Sequence, residues 1–232
     1  MTEMIRIEDV GKTFTLHTQG GATIPVFDNV TLTVEPGECV VLDGPSGIGK
    51  SSLLRMIYAN YRCLDGRIAV RHDGAAVDIA AASPRTVLDI RRRTMGYVSQ
   101  FLRVIPRVST LSIVGEPLRG LGADKAEAEA KAMTLLDRLR IPEQLWPLSP
   151  ITFSGGEKQR VNIARGFIAG YPVMLLDEPT ASLDTANTAT VIDLIQEAKA
   201  AGTAILGIFH DTAVRQAVAT RHFDMRDCHV AA

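Results

Sequence analysis

At 232 residues, 46% of them hydrophobic, the chain can bury a substantial core of its own and fits one large domain or a core with a small lobe. A formal net charge of -1 gives no global basic signal for nucleic acid or an anionic membrane surface. No apolar run approaches the roughly 18 residues of a bilayer span, Met1 to Gly11 lacks a signal peptide's apolar stretch, and Cys39, Cys63 and Cys228 form no Cys-x-x-Cys pair, so a reducing, cytoplasmic setting is expected. In chain order, Ile5 to Val10, Val30 to Val34 and Cys39 to Leu42 read as strands, the last two separated by a Pro36-Gly37-Glu38 turn. A helical run starts near Lys50 and continues through Ser52 to Tyr61, and Gly66 to Arg71 alternates like a strand with one wet face. Ser83-Pro84 suits a helix start, with serine as cap and proline at the first helical position. Thr110 to about Trp146 is mostly helical, broken at Gly120, Gly122 and Pro142. Asp124 and Glu127 form a capping-box-like start, and Ala132, Leu135, Leu136 and Leu139 share one face. Val173 to Leu176 and Thr203 to Phe209 are buried strands, separated by a helix over Thr185 to Ala201 that Gly202 ends. Strand and helix alternating at both ends of the chain predict a mainly parallel α/β sheet covered on both faces, with the helical middle as an inserted lobe. No appended regulatory domain is expected after the His210 region.

Two phosphate seats stand out. Gly44-Pro45-Ser46-Gly47-Ile48-Gly49-Lys50-Ser51 is a glycine-rich loop between a strand and a helix, the context a P-loop requires. Its amides can cradle phosphate oxygens, Lys50 can reach terminal phosphates, and the Ser51 hydroxyl, followed by Ser52, can ligate Mg2+. Phe153-Ser154-Gly155-Gly156-Glu157-Lys158-Gln159-Arg160 opens a second helix whose free amides and dipole favour an anion. Such a pair of seats implies a nucleotide gripped from two sides. Alone, Val173 to Glu178 would be a core strand ending in two solvated acids. After a P-loop it is better read as delivering Asp177 to Mg2+ and Glu178 to the attacking water, since neighbouring positions on a strand point to opposite sides.

Gln100 and His210 each close a strand-like run, and Phe14 lies early in the chain. Singly they pass for a surface amide, a structural histidine and a core aromatic. As a set they could supply a water or metal contact, a sensor of the terminal phosphate and a stacking face for a base. A serine hydrolase built on Ser46 or Ser154 with His210 would lack the Gly-x-Ser-x-Gly elbow. Arg91-Arg92-Arg93 is expected to be a solvated helix end, and Trp146 an anchor of the helical lobe against the loop before Ser154.

The ordered set of the P-loop, Gln100, Ser154 to Glu157, Asp177-Glu178, Ser182-Leu183-Asp184 and His210 resembles the ATP-binding cassette ATPases over essentially the whole chain. The resemblance implies one cassette domain over 1–232, built as a P-loop NTPase core with an N-terminal antiparallel β lobe and a helical subdomain over about 100–155. It implies ATP and Mg2+ as cofactors. It also implies a head-to-tail dimer with itself or a related cassette, in which ATP lies between one P-loop and the other subunit's Ser154-Gly155-Gly156-Glu157 helix, with Asp184 nearby. Phe153 and Glu157 stand where the family usually has Leu and Gln, and Phe14 where Tyr is common. A narrower likeness lies in Tyr58 to Tyr61, Val98 to Arg107, Val161 to Ile168 and Gly207 to Asp211. These segments resemble the ATP-binding L subunits of the bacterial phosphonate carbon-phosphorus lyase system. That likeness implies an ATPase joined to soluble lyase core subunits. It would support formation of ribose 1-alkylphosphonate 5-triphosphate from ATP and alkylphosphonate, grouped with ribose 1-methylphosphonate 5-triphosphate synthase. The alternative is the nucleotide-binding subunit of a membrane transporter. Either partner is expected at Phe101, Leu102 and Ile105, just after Gln100.

Overall fold

The computed structural model describes residues 3–16, 18, 20–100, 102 and 106–228. Apolar alternation starts the chain as a long antiparallel hairpin, β1 (Ile5–Leu16) and β2 (Ala22–Val34), which runs well past the predicted strands. Ile5 and Ile7 point to the core, and a register shift around Asp9 (φ 51°) resets the phase so that Val10 is also buried. The outer part of the hairpin is largely exposed on both faces, so it carries no burial period that would mark it in sequence. β4 (Asp65–His72) pairs with β1 and turns through Asp73-Gly74, both at positive φ, into β5 (Ala75–Asp78). The resulting four-stranded sheet has the order β2-β1-β4-β5. β5 was not foreseen, although Asp-Gly between strand-like runs is a strong hairpin signal.

The second sheet is built from five parallel strands in the order β6-β7-β8-β3-β9: β3 (Cys39–Asp43), β6 (Met95–Val98), β7 (Val173–Asp177), β8 (Ala204–Ile208) and β9 (Arg221–Asp224). Its central strands are apolar up to the aspartates that end β3 and β7, because both faces are covered. On β7, Val173 and Leu175 enter the core shared with the antiparallel sheet, and Met174 and Leu176 enter the core shared with the helical lobe. The helices are α1 (Lys50–Ile57), α2 (Pro84–Arg93), α3 (Thr110–Gly120), α4 (Lys125–Arg138), α5 (Gly155–Phe167), α6 (Thr185–Ala200) and α7 (Thr212–Val218). α1 stops short of the predicted Tyr61, while α7 and β9 were not foreseen.

Two predicted starts are met by real caps: Ser83 accepts from Thr86 N, and Asp124 accepts from Glu127 N. On α4, Ala132 and Leu136 are buried together with the following Leu139, while Leu135 is only partly so. Trp146 ties the lobe internally: its indole N–H donates to Ile141 O at 2.9 Å, and its carbonyl accepts from Leu111 N at 3.1 Å. The carboxyl ends of β3, β6, β7 and β8 deliver Gly44, Gln100, Asp177, Glu178 and His210, at the edge where parallel sheets hold their ligands.

Candidate nucleotide site

The loop after β3 turns through Gly44, Gly47 and Gly49 at φ 130°, 85° and 108°, a left-handed course closed to most side chains. At Gly49 a Cβ would come within 2.6 Å of the Phe27 ring, so the loop also lies hard against β2. Pro45, Ser46 and Gly47 line the open side of the loop and Ile48 is buried. α1 begins at Lys50 with no side-chain cap and no acid in its first turn, which suits its N-terminal amides and dipole to an incoming anion. Lys50 is buried to 8% exposure and donates to Gly44 O at 2.6 Å and Pro45 O at 2.8 Å. Burial lowers the pKa of its ammonium, opposed by the charges of Glu178 and Asp43.

Next on α1, Ser51 donates its hydroxyl to Asp177 Oδ1 at 2.8 Å, and Ser52 is half-buried beside it. Asp177 is 1% exposed, and its second oxygen accepts from the Tyr97 hydroxyl at 3.0 Å. Glu178 is not the next residue of an extended strand. β7 ends at Asp177, and Glu178 has φ 53°, its amide donating to Ile208 O at 3.1 Å. The simple alternation of two acids on a strand therefore fails here, although the carboxylates do separate. Glu178 Oε1 lies 2.6 Å from His210 Nε2, and its Oε2 accepts from Gln100 Nε2 at 3.3 Å. Gln100, expected also to touch the metal, thus turns its amide to Glu178.

The second seat has its own internal anion. Ser154 caps α5, and a full capping box joins it to Glu157: the Ser154 amide and hydroxyl donate to Glu157 Oε2 at 2.8 and 2.7 Å, while Glu157 N donates back to Ser154 Oγ. These bonds hold the Glu157 carboxyl below its ordinary pKa, the Ser154 hydroxyl contributing most. Gly155 is open, and a Cβ on Gly156 would meet Ser182 O at 3.0 Å. Asp184 caps α6, accepting from the Asn187 amide at 2.8 Å and from the Asn187 side chain. Among the described residues no hydrogen bond joins Ser154 to Glu157 with the Gly44 to Ser51 loop. Phe14 lies on β1 with its ring edge-on to Tyr61 at 5.5 Å and Lys12 Nζ at 4.8 Å from its centroid.

Residues 27–181 match the sequence family described as ABC transporter. The arginine transport ATP-binding protein ArtP of Haemophilus influenzae is 36% identical over 202 residues, covering 87% of this chain and 82% of that protein. The chain belongs to the ABC transporter ATPase family. The macrolide export ATP-binding/permease protein MacB of Sodalis glossinidius is 31% identical over 231 residues, and there the chain spans only 34% of the relative. Among solved structures, the ATP-binding cassette MJ0796, a dimer in a post-hydrolysis state bound to ADP and Pi, superimposes with a TM-score of 0.85 at 28% identity. That superposition covers 95% of this chain and 94% of that one.

As a member of the ABC family the chain binds ATP, normally with Mg2+. The residues fit both: a left-handed amide loop with a buried lysine for phosphate, and a hydroxyl paired with a carboxylate as hard oxygen donors for the cation. No helix among the described residues is long and apolar enough to cross a membrane.

Arg91-Arg92-Arg93 forms the basic last turn of α2 with Arg92 and Arg93 exposed, as expected, and its guanidiniums are also paired. Arg91 donates to Tyr58 O and Asn60 Oδ1, and Arg93 bonds both Asp89 and Asp73. His72, Asp73 and Asp89 bring one donor each within 4.8 Å of one another, but the Arg93 guanidinium already sits among them as the cation. Of the expected partner contacts, Phe101 and Ile105 lie outside the described residues, and Leu102 packs half-buried against the helical-lobe core. Tyr97 was missed as a site residue. Only the pairing of β6 beside β7, Tyr97 opposite Leu175, brings its hydroxyl to Asp177.

Proposed function

We propose that this chain is the ATP-hydrolysing subunit of a membrane ABC transporter, one cytoplasmic cassette over its whole length, acting as a head-to-tail dimer with itself or a related cassette. The observation that carries the catalytic reading is the Glu178 carboxylate, held at both oxygens by His210 and Gln100 beside the Ser51–Asp177 pair. In this reading the Gly44 to Ser52 loop and helix start bind the phosphates, Lys50 engages the terminal ones, and Phe14 stacks on the base. Glu178 accepts the proton of the attacking water, and His210 reads the terminal phosphate. Ser51, Asp177 and Gln100 hold the cation, which when bound neutralises charge on the phosphates. A second copy's Ser154-Gly155-Gly156-Glu157 helix and Asp184 close the site from the other side. The named relatives, an arginine transport protein and a macrolide export protein, support a membrane partner.

The second reading is an ATPase subunit of a soluble phosphonate carbon-phosphorus lyase complex. Several of the segments that resemble that system's ATP-binding subunits converge on one groove, where Tyr58, Tyr61, Ser99, Gln100, Asn162 and Arg165 line the wall. A surface of this kind beside Gln100 suits a protein partner for either reading. Native co-purification separates them: recovery with integral membrane proteins supports the transporter, and recovery with soluble lyase subunits supports the second reading. Purified protein without Mg2+-dependent ATPase activity would contradict both.

A further inference from the structure

Asp177 combines a charge with near-complete burial, so each of its carboxylate oxygens needs a donor. The two donors come from different elements: Ser51 on α1 reaches Oδ1, and Tyr97 on β6 reaches Oδ2. A carboxylate held at one oxygen still turns about its terminal torsion, whose energy profile is broad. Opposed donors on both oxygens fix the plane of the group. Tyr97 is itself fixed. Its backbone is paired with Leu175 of β7, and its ring lies 5.0 Å from that of Tyr58. The Arg55 guanidinium lies near the Tyr97 hydroxyl and donates to the Tyr61 hydroxyl at 3.0 Å. Ser51 and Arg55 are four residues apart on α1 and so share one helix face. The carboxylate is therefore gripped from two elements, by α1 through Ser51 and by β6 through Tyr97, with Arg55 of α1 near the Tyr97 hydroxyl.

We propose that Tyr97 is a positioning residue for the cation site: its hydroxyl, opposed by the Ser51 hydroxyl across the carboxylate, sets the rotation of Asp177 so that one oxygen stays aimed at Ser51 and the metal. This rests on the reading of Ser51 and Asp177 as metal-binding residues. Outer partners of metal ligands typically change metal affinity by about 10- to 100-fold when removed.

The test is Mn2+ binding to the purified protein carrying a non-hydrolysable ATP analogue, read by electron paramagnetic resonance. Metal-free nucleotide affinity and thermal midpoint are measured on the same samples. Tyr97→Phe keeps the ring on Tyr58 and removes the hydroxyl. It is expected to weaken Mn2+ binding about tenfold or more, with metal-free nucleotide affinity and midpoint unchanged. Arg55→Met should move Mn2+ affinity in the same direction by less, and it decides the question by the same criteria if Tyr97→Phe does not fold. Unaltered Mn2+ affinity in Tyr97→Phe, alongside its loss in Asp177→Asn, overturns the positioning role alone. If Asp177→Asn also binds Mn2+ normally, the metal-site reading falls and this inference with it. Equal losses of metal-free nucleotide and metal binding would indicate general loosening and likewise overturn it.

Discussion

His210 Nε2 and Glu178 Oε1 lie 2.6 Å apart, although His210 extends into solvent and Glu178 is mostly covered. The imidazole is thus an exposed group that reports to a shielded carboxylate. A hydrogen bond to a charged group contributes roughly 1.5–3 kcal/mol, equivalent to about ten- to a hundredfold in rate if it is needed in the transition state. His210→Ala is expected to lower kcat by that factor while KM for ATP changes little. A rise in KM at constant kcat would instead assign His210 to ground-state binding.

Lys50 already satisfies its ammonium on Gly44 O and Pro45 O, so binding ATP exchanges carbonyl contacts for phosphate ones. Lys50→Ala removes a charge-assisted contact of about 1.5–3 kcal/mol and should weaken ATP binding about ten- to a hundredfold. Titration calorimetry with ATP checks this. Unchanged affinity would remove Lys50 from the phosphate site.

Gly49 tests the loop's shape independently of its chemistry. Its φ of 108° and the 2.6 Å that would separate an added Cβ from Phe27 leave no room for a side chain. Gly49→Ala should destabilise the fold by about 1–3 kcal/mol through overpacking, lowering the thermal midpoint by about 2–4 °C per kcal/mol. Gly47→Ala, whose Cβ would meet nothing within 4 Å, should cost less. Equal midpoints for both variants would argue against the tight seating of the loop on β2.

The separation of the two phosphate seats within one chain gives the dimer its test. A two-fold pair makes each interface twice, so mixing Lys50→Ala with Ser154→Arg puts both defects in one composite site and leaves the other whole. The heterodimer should recover up to about half the activity per dimer, where either variant alone has none. Silent heterodimers, proven to form, would contradict independent composite sites.

Much of this site was legible from spacing. The P-loop glycines, the strand delivering Asp177-Glu178, and Gln100 and His210 at strand ends are all local patterns, and Glu178 does meet both Gln100 and His210. What escaped depends on long-range register. Tyr97 meets Asp177 only because β6 lies beside β7, and Arg93 finds Asp73 only because the β4–β5 turn approaches α2. The outer hairpin of β1 and β2, exposed on both sides, has no burial period for a sequence to display. The Glu178 backbone illustrates the opposite hazard: alternation assumed an extended chain, while the residue turns left-handed just past the strand.

The central claim is that Glu178 acts as the base for ATP hydrolysis. Its most direct test is ATP turnover and ATP affinity measured on one preparation of Glu178→Gln. The substitution keeps the side chain's shape and its contacts with Gln100 and His210 within reach, but removes the proton acceptor. Turnover should fall about 10²- to 10⁴-fold with ATP still bound as tightly as, or more tightly than, by the unmodified protein. Hydrolysis at the parent rate with ATP affinity intact would contradict it.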